Sequence, residues 1–171
     1  GSTFNQDDID TAVLKKSIKT LKNLNESNHE ILVVTGGGKT SRKYIDAARK
    51  LGAPKKDLDQ LGIGVTRLNA KLLIAGLGDL SGPEPPKNFE KATHLMFDDK
   101  IPVMGGTKPG HTTDAVAAEL AKISKSDLLL YLTNVDGVYT ADPNQEENAE
   151  KITSMNFQEL LDLVKKQKFE P

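Results

Sequence analysis

The sequence of 171 residues contains no cysteine. That excludes disulfides and thiolate zinc sites, and makes a reducing cytoplasm the expected compartment. Tryptophan is also absent, and aromatic residues are 5% of the chain, too few for the stacking platforms of single-strand nucleic-acid binders. The formal net charge is -1, so no global field attracts nucleic acid or an anionic membrane. No apolar run approaches the ~20 residues of a membrane span. No basic, apolar and small-residue pattern at the start suggests a secretory signal. Neither a Ser-His-Asp spacing nor a His-x-x-x-His pair occurs, which leaves hydrolase and zinc readings unsupported.

What the chain does have is glycine in informative places. Ile31 to Val34 reads as a buried strand, Gly36-Gly37-Gly38 follows, and a pattern of helical period begins at Lys39. A helix N-terminus carries unpaired N–H groups and partial positive charge, so it binds anions. Glycine lets a phosphate approach the backbone closely. Lys39 and Arg42 add formal positive charge at the same place. A second loop, Gly105-Gly106-Thr107-Lys108-Pro109-Gly110-His111-Thr112-Thr113, also follows a short apolar strand and opens a helix. Two such loops suit a site for two phosphate groups, a donor and an acceptor.

Taken in order, Asp7 and Asp8 are acceptable caps for an amphipathic helix ending near Asn25, with Ile9, Val13, Leu14, Ile18, Leu21 and Leu24 on one face. Glu30 to Thr35 is a strand. Lys39 to Leu51 is a helix with Tyr44, Ala47, Ala48 and Leu51 inward, stopped by Gly52 and Pro54. A longer helix runs from about Lys56 to Leu77 with Leu58, Leu61, Val65, Leu68, Leu72 and Ala75 on its apolar row; Gly62 and Gly64 within it signal close packing or close approach of a ligand or subunit. After a Gly- and Pro-rich loop come a short helix, Asn88 to Met96, and a strand, Ile101 to Met104. The helix opened by the second loop turns Val116, Leu120 and Ile123 inward. Leu128 to Leu132 reads as a central parallel strand. Asn156-Phe157-Gln158-Glu159 is a capping-box pattern starting a last helix. The alternation implies an α/β fold, a mainly parallel central sheet sandwiched by helices. Ligands of such sheets sit at the strand C-terminal ends, where both glycine loops and Thr133 to Asp136 fall.

Each site reading has a plainer rival. The first loop nearly matches the nucleotide P-loop, but Val33 stands where that motif requires its first glycine. A glycine triplet before a helix also occurs as simple turn chemistry. His111 is a weak catalytic candidate, since loop histidines are commonly polar surface. Asp136 suits a metal or a cap for the Gly137 turn, and Asp142-Pro143 is ordinary turn chemistry unless a ribose lies beside it.

Three motifs together carry a resemblance. Gly36-Gly37-Gly38-Lys39-x-x-Arg42, then Gly62-Ile63-x-x-Thr66-Arg67-x-Asn69-Ala70, then Met104-Gly105-Gly106-Thr107-x-Pro109-Gly110-His111-Thr112-Thr113-Asp114-Ala115 resemble the amino acid kinase superfamily. With Thr133-Asn134-Val135-Asp136-Gly137-Val138-Tyr139-Thr140-Ala141-Asp142-Pro143, the chain is similar to archaeal-type uridylate (UMP) kinases over nearly its whole length. The resemblance implies one amino acid kinase domain over residues 1–171, and transfer of a phosphoryl group from ATP to UMP with Mg²⁺. It places Gly37, Asp59 and Thr107, Lys108, Pro109, Gly110, His111, Thr112 and Thr113 at UMP. It places Gly38, Arg42, Thr133, Tyr139 and Asp142 at ATP, with Lys39 and Arg42 on the transferring group. Gly1-Ser2, which alone reads equally well as a cloning remnant, then matches the end of a loop that contacts ATP phosphates. Metal ligands stay unassigned. A homo-oligomer, a hexamer by resemblance, is implied.

Two departures accompany it. The family's first strand would precede Gly1, and about a quarter more chain would follow Pro171, so a fragment or ordered subset is expected, with a shortened paralogue as the alternative. Two alternatives stay open: a sister kinase acting on another small phosphate such as isopentenyl phosphate, and a non-catalytic nucleotide- or oxyanion-binding protein on the same fold.

Overall fold

The computed structural model describes residues 9–133, 135–141, 143 and 145–166. The chain divides into two compact units, Gly1–Leu132 and Thr133–Pro171.

The first unit is built on a parallel pair of short strands, β1 (Val33–Val34) and β2 (Val103–Met104), in the register Val33 to Val103 and Val34 to Met104. The Val33 N–H donates to Pro102 O and the Thr35 N–H to Met104 O, both at 2.9 Å. A parallel bridge between Ser81 and Ile101 extends the pairing. Because side chains alternate along a strand, one face receives Ile31, Val33, Ile101 and Val103 and the other Leu32, Val34 and Met104. The first face packs on α1 (Thr11–Glu26) and α3 (Lys55–Leu77) through Leu14, Ala70, Leu73, Ile74 and Leu77. The second packs on α4 (Phe89–Phe97) and α5 (Thr113–Ser124) through Ala92 and Leu120. This is the helix–sheet–helix sandwich that the sequence pattern implies. α2 (Gly38–Lys50) lies along α3.

Several local expectations shift. Asp10 caps α1, accepting from the Ala12 and Val13 N–H groups at 3.0 Å, while Asp7 and Asp8 lie outside the described residues. On α2 the inward residues are Ser41, Ile45 and Ala48, and Tyr44, Ala47 and Leu51 are exposed. On α3 the buried row is Ile63, Thr66, Asn69, Ala70, Leu73, Ile74 and Leu77 with Val65, whereas Leu61, Leu68, Leu72 and Ala75 of the expected row are exposed. An apolar count missed that row because two of its members are polar, and the loops satisfy them. Ile123 is exposed too. Gly62 is explained by helix packing: a Cβ there would meet Ile45 Cδ1 at 3.3 Å and Ser41 Oγ at 3.4 Å. Nothing lies within 4 Å of the same position on Gly64.

With the 3-10 turn Gly78–Leu80, α3 forms a helical stretch long and apolar enough to cross a membrane by length and composition. That qualifies the reading from unbroken apolar runs, although α3 packs as a core helix on β1 and β2. Leu128 to Leu132, expected as a central strand, joins no ladder among the described residues and is exposed throughout. Its apolar composition fits a buried strand, but no described neighbour pairs with it, and a strand exists only through its neighbours.

The second unit holds a small antiparallel pair, β3 (Val138–Tyr139) with β4 (Lys151–Ile152), and α6 (Phe157–Lys166). The capping box forms as the sequence predicts: the Glu159 N–H donates to Asn156 Oδ1 at 3.0 Å and the Asn156 N–H to Glu159 Oε2 at 2.7 Å.

Candidate active site

The two glycine loops leave the C-terminal ends of β1 and β2, which are neighbours, so they meet. A Cβ on Gly36 would lie 3.5 Å from Thr113 Oγ1, across from one loop to the other. The first loop passes directly into α2. Gly38 adopts φ +61°, a conformation that costs a residue with a side chain, and the Gly37 N-cap offers no side chain to the first turn of the helix. Lys39 and Arg42 stand exposed on that turn, so two cations lie at the same end of α2 as its first amides.

The second loop crosses α3 at contact distance. A Cβ on Gly105 would stand 2.7 Å from Arg67 N and 2.8 Å from Thr66 C, both backbone atoms, so only glycine fits. The Gly106 N–H donates to Thr66 Oγ1 at 2.7 Å, and that hydroxyl donates to Ile63 O at 2.7 Å. Arg67 reaches over with Nε to Gly106 O at 3.1 Å and an Nη to Thr107 O at 3.2 Å. Asn69 Nδ2 donates to Gly36 O at 2.8 Å, and Thr35 Oγ1 is 2.9 Å from Thr66 O. Thr107 Oγ1 is buried and has no hydrogen-bond partner, the one such buried side-chain atom among the described residues. A hydroxyl so placed is costly unless something pairs with it.

Further along, the Gly110 N–H donates to Asp59 Oδ2 at 3.0 Å, which ties the loop to the start of α3. Thr112 caps α5, accepting from the Ala115 N–H at 3.2 Å. His111 Nδ1 is 4.0 Å from Glu119 Oε2, a long pairing at the surface. Lys108 is exposed and Pro109 half-buried. The first unit therefore brings Gly37, Gly38, Lys39, Arg42, Asp59 and the Thr107 to Thr113 loop into its two adjoining loops and their supports. Thr66, Arg67 and Asn69 stood in a quoted motif but received no role there. Their signal was three polar side chains within a strongly apolar helix.

In the second unit, Tyr139 Oη donates to Asp136 Oδ1 and Lys151 Nζ to Asp136 Oδ2, each at 2.6 Å. The hydrogen bond from Lys151, with that from Tyr139, holds the Asp136 carboxyl below its ordinary pKa; the bonds to Asp136 raise both the Tyr139 phenol and the Lys151 ammonium. The Val135 N–H lies 3.4 Å from Thr133 Oγ1. Gly1, Ser2 and Asp142 fall outside the described residues. No three His, Asp or Glu side chains converge as metal ligands among the described residues.

A parallel α/β core with two glycine loops at adjacent strand ends, one opening a helix whose first turn carries two cations, is an arrangement suited to binding phosphate. The family model for the amino acid kinase family matches residues 1–169, and the chain belongs to that family. It is 53% identical to the uridylate kinase of Methanocaldococcus jannaschii over 143 residues, covering 84% of this chain and 63% of that protein. It is 46% identical to the uridylate kinase of Thermococcus onnurineus over 164 residues, covering 96% and 72%. Among solved structures, the uridylate kinase of Archaeoglobus fulgidus superposes with a TM-score of 0.84 at 40% identity, over 94% of this chain and 74% of that one. The chain thus spans less than two thirds of the first of these relatives and about three quarters of the solved structure.

Proposed function

We propose that this chain acts as a UMP kinase that transfers the γ-phosphoryl group of ATP to UMP, giving ADP and UDP. The observation that carries the reading is the meeting of the two glycine loops at the ends of β1 and β2. Similarity to proteins named uridylate kinase supports the choice of acceptor. The acceptor is UMP through Gly37, Asp59 and the Thr107 to Thr113 loop, with Asp59 Oδ1 accepting from a ribose hydroxyl. The donor is ATP through Gly38, Arg42, Thr133, Tyr139 and Asp142, with Gly1 and Ser2 at its phosphates.

The chemistry needs placement and charge neutralisation more than a covalent nucleophile. An oxygen of the UMP phosphate is the nucleophile and is already ionised at neutral pH, so no strong general base is required. Lys39 and Arg42, with the first amides of α2, are assigned to take up charge on the transferring group. Magnesium, which the family resemblance implies, would accompany ATP; no three described carboxylate or imidazole side chains converge to hold it. Its contribution is to neutralise phosphate charge. We further propose a cytoplasmic homo-oligomer, a hexamer by family resemblance.

ADP production from ATP and Mg²⁺, with UMP, CMP, AMP and isopentenyl phosphate offered separately to the intact protein, tests the reading. Strong preference for UMP is expected. Preference for isopentenyl phosphate would keep the donor half and overturn the acceptor assignment, and ATP binding without turnover on any acceptor would overturn the kinase.

A further inference from the structure

The polar residues buried on α3 have a consequence for the direction of backbone N–H groups in both loops. All peptide bonds described are trans. In a trans peptide the C=O of one residue and the N–H of the next lie in one plane and point in opposite directions. A side chain that holds a carbonyl therefore also aims the following amide. Asn69 holds Gly36 O, so the Gly37 N–H is turned away from α3. Arg67 holds Gly106 O and Thr107 O, so the Thr107 and Lys108 N–H groups are turned away from it as well. Thr66 completes the support by accepting from the Gly106 N–H.

We propose that Arg67 and Asn69 are positioning residues for the acceptor phosphate, forming a clip on α3 that aims the Gly37, Thr107 and Lys108 amides at one anion. This rests on the kinase reading for the identity of the anion, but not for its existence. The loops need such a clip. Glycine-rich backbone is the most freely rotating kind, and in-line transfer tolerates little misplacement. Arg67 is suited to it because a planar guanidinium presents two donors in fixed relation, so it sets two successive peptide planes together. The buried, unpartnered Thr107 hydroxyl sits on the same clipped segment and supplies a further group for the ligand.

The test combines kinetics and NMR on the intact protein. Arg67→Lys keeps the charge but loses the fork, and Asn69→Ser shortens the side chain away from Gly36 O. Each is expected to raise the KM for UMP about five- to tenfold, the loss of one well-formed hydrogen bond, and to leave the KM for ATP within about twofold. Equal rises for both substrates would mean general loosening and would overturn the clip, as would no change in either. The second readout needs no turnover. Titration of the wild type with inorganic phosphate is expected to shift the Gly37, Thr107 and Lys108 amides together, and Arg67→Lys to abolish the shift at Thr107 and Lys108 while Gly37 keeps it. A wild type that shows these shifts but does not phosphorylate UMP supports the clip and removes the kinase reading. A wild type that phosphorylates UMP without the shifts removes the clip and keeps the kinase.

Discussion

At the scale of single residues, two acids show how one residue type takes different work from its surroundings. Asp59 uses Oδ2 to hold the Gly110 amide, and the proposed function assigns its Oδ1 to a ribose hydroxyl. Asp59→Ala is expected to raise the KM for UMP by about tenfold or more while leaving that for ATP nearly unchanged, and steady-state kinetics with each substrate varied would show it. Equal effects on both substrates would remove the ribose role. Arg42, exposed on the first turn of α2, is assigned by the proposed function to the other half, and on that reading Arg42→Ala is expected to lower turnover on the order of 10- to 100-fold with a smaller change in KM, measured as kcat. Asp136 is bound by Lys151 and Tyr139, and its carboxyl is held below the ordinary range. A depressed folded-state pKa stabilises the fold above the unfolded-state value and is lost as pH falls through the folded-state value. NMR titration is expected to find Asp136 ionised at a lower pH than free aspartate, and Lys151→Met to move it back upward. Because all three groups are open to solvent, the linkage to stability is small.

At the scale of elements, local rules succeed where the partners are near in sequence. The Asn156 and Glu159 capping box was legible from four residues, and both of its hydrogen bonds form. Asn156→Ala is expected to cost about 1 kcal/mol of α6 stability, read as lost helical signal by circular dichroism. The strand-to-glycine-to-helix passage at Val34 to Lys39 was legible in the same way, whereas the Asn88 cap of α4, which accepts from the Lys91 N–H at 2.9 Å, is a finding of the structure. Rules based on periodicity alone fared worse on α3. Its 23 residues carry apolar side chains on more than one face, so period cannot say which row is inward. The sheet and the loop carbonyls decide it.

At the scale of the whole molecule, the sandwich is defined by which face of two short strands each helix covers. Leu61, Leu68 and Leu72 on α3, and the Leu128 to Leu132 stretch, leave apolar surface open. Burial of such surface is the general driving force of association, and for the intact protein light scattering after size exclusion is expected to report a mass several times that of one chain. A monomer at micromolar concentration would remove the proposed homo-oligomer.

The sequence by itself determined the α/β class, the two glycine loops, the Asn156 and Glu159 capping box and the motifs that resemble one family. These are properties of neighbours along the chain: a turn needs its glycine and a helix start needs its cap within a few residues. Tertiary structure alone decided that the loops adjoin, through the parallel register of Val33 with Val103. It also decided that Thr66, Arg67 and Asn69 face the loops rather than solvent, and that Asp59 holds Gly110 across 51 positions of sequence. Those facts depend on which surfaces bury each other, and no local pattern records the partner.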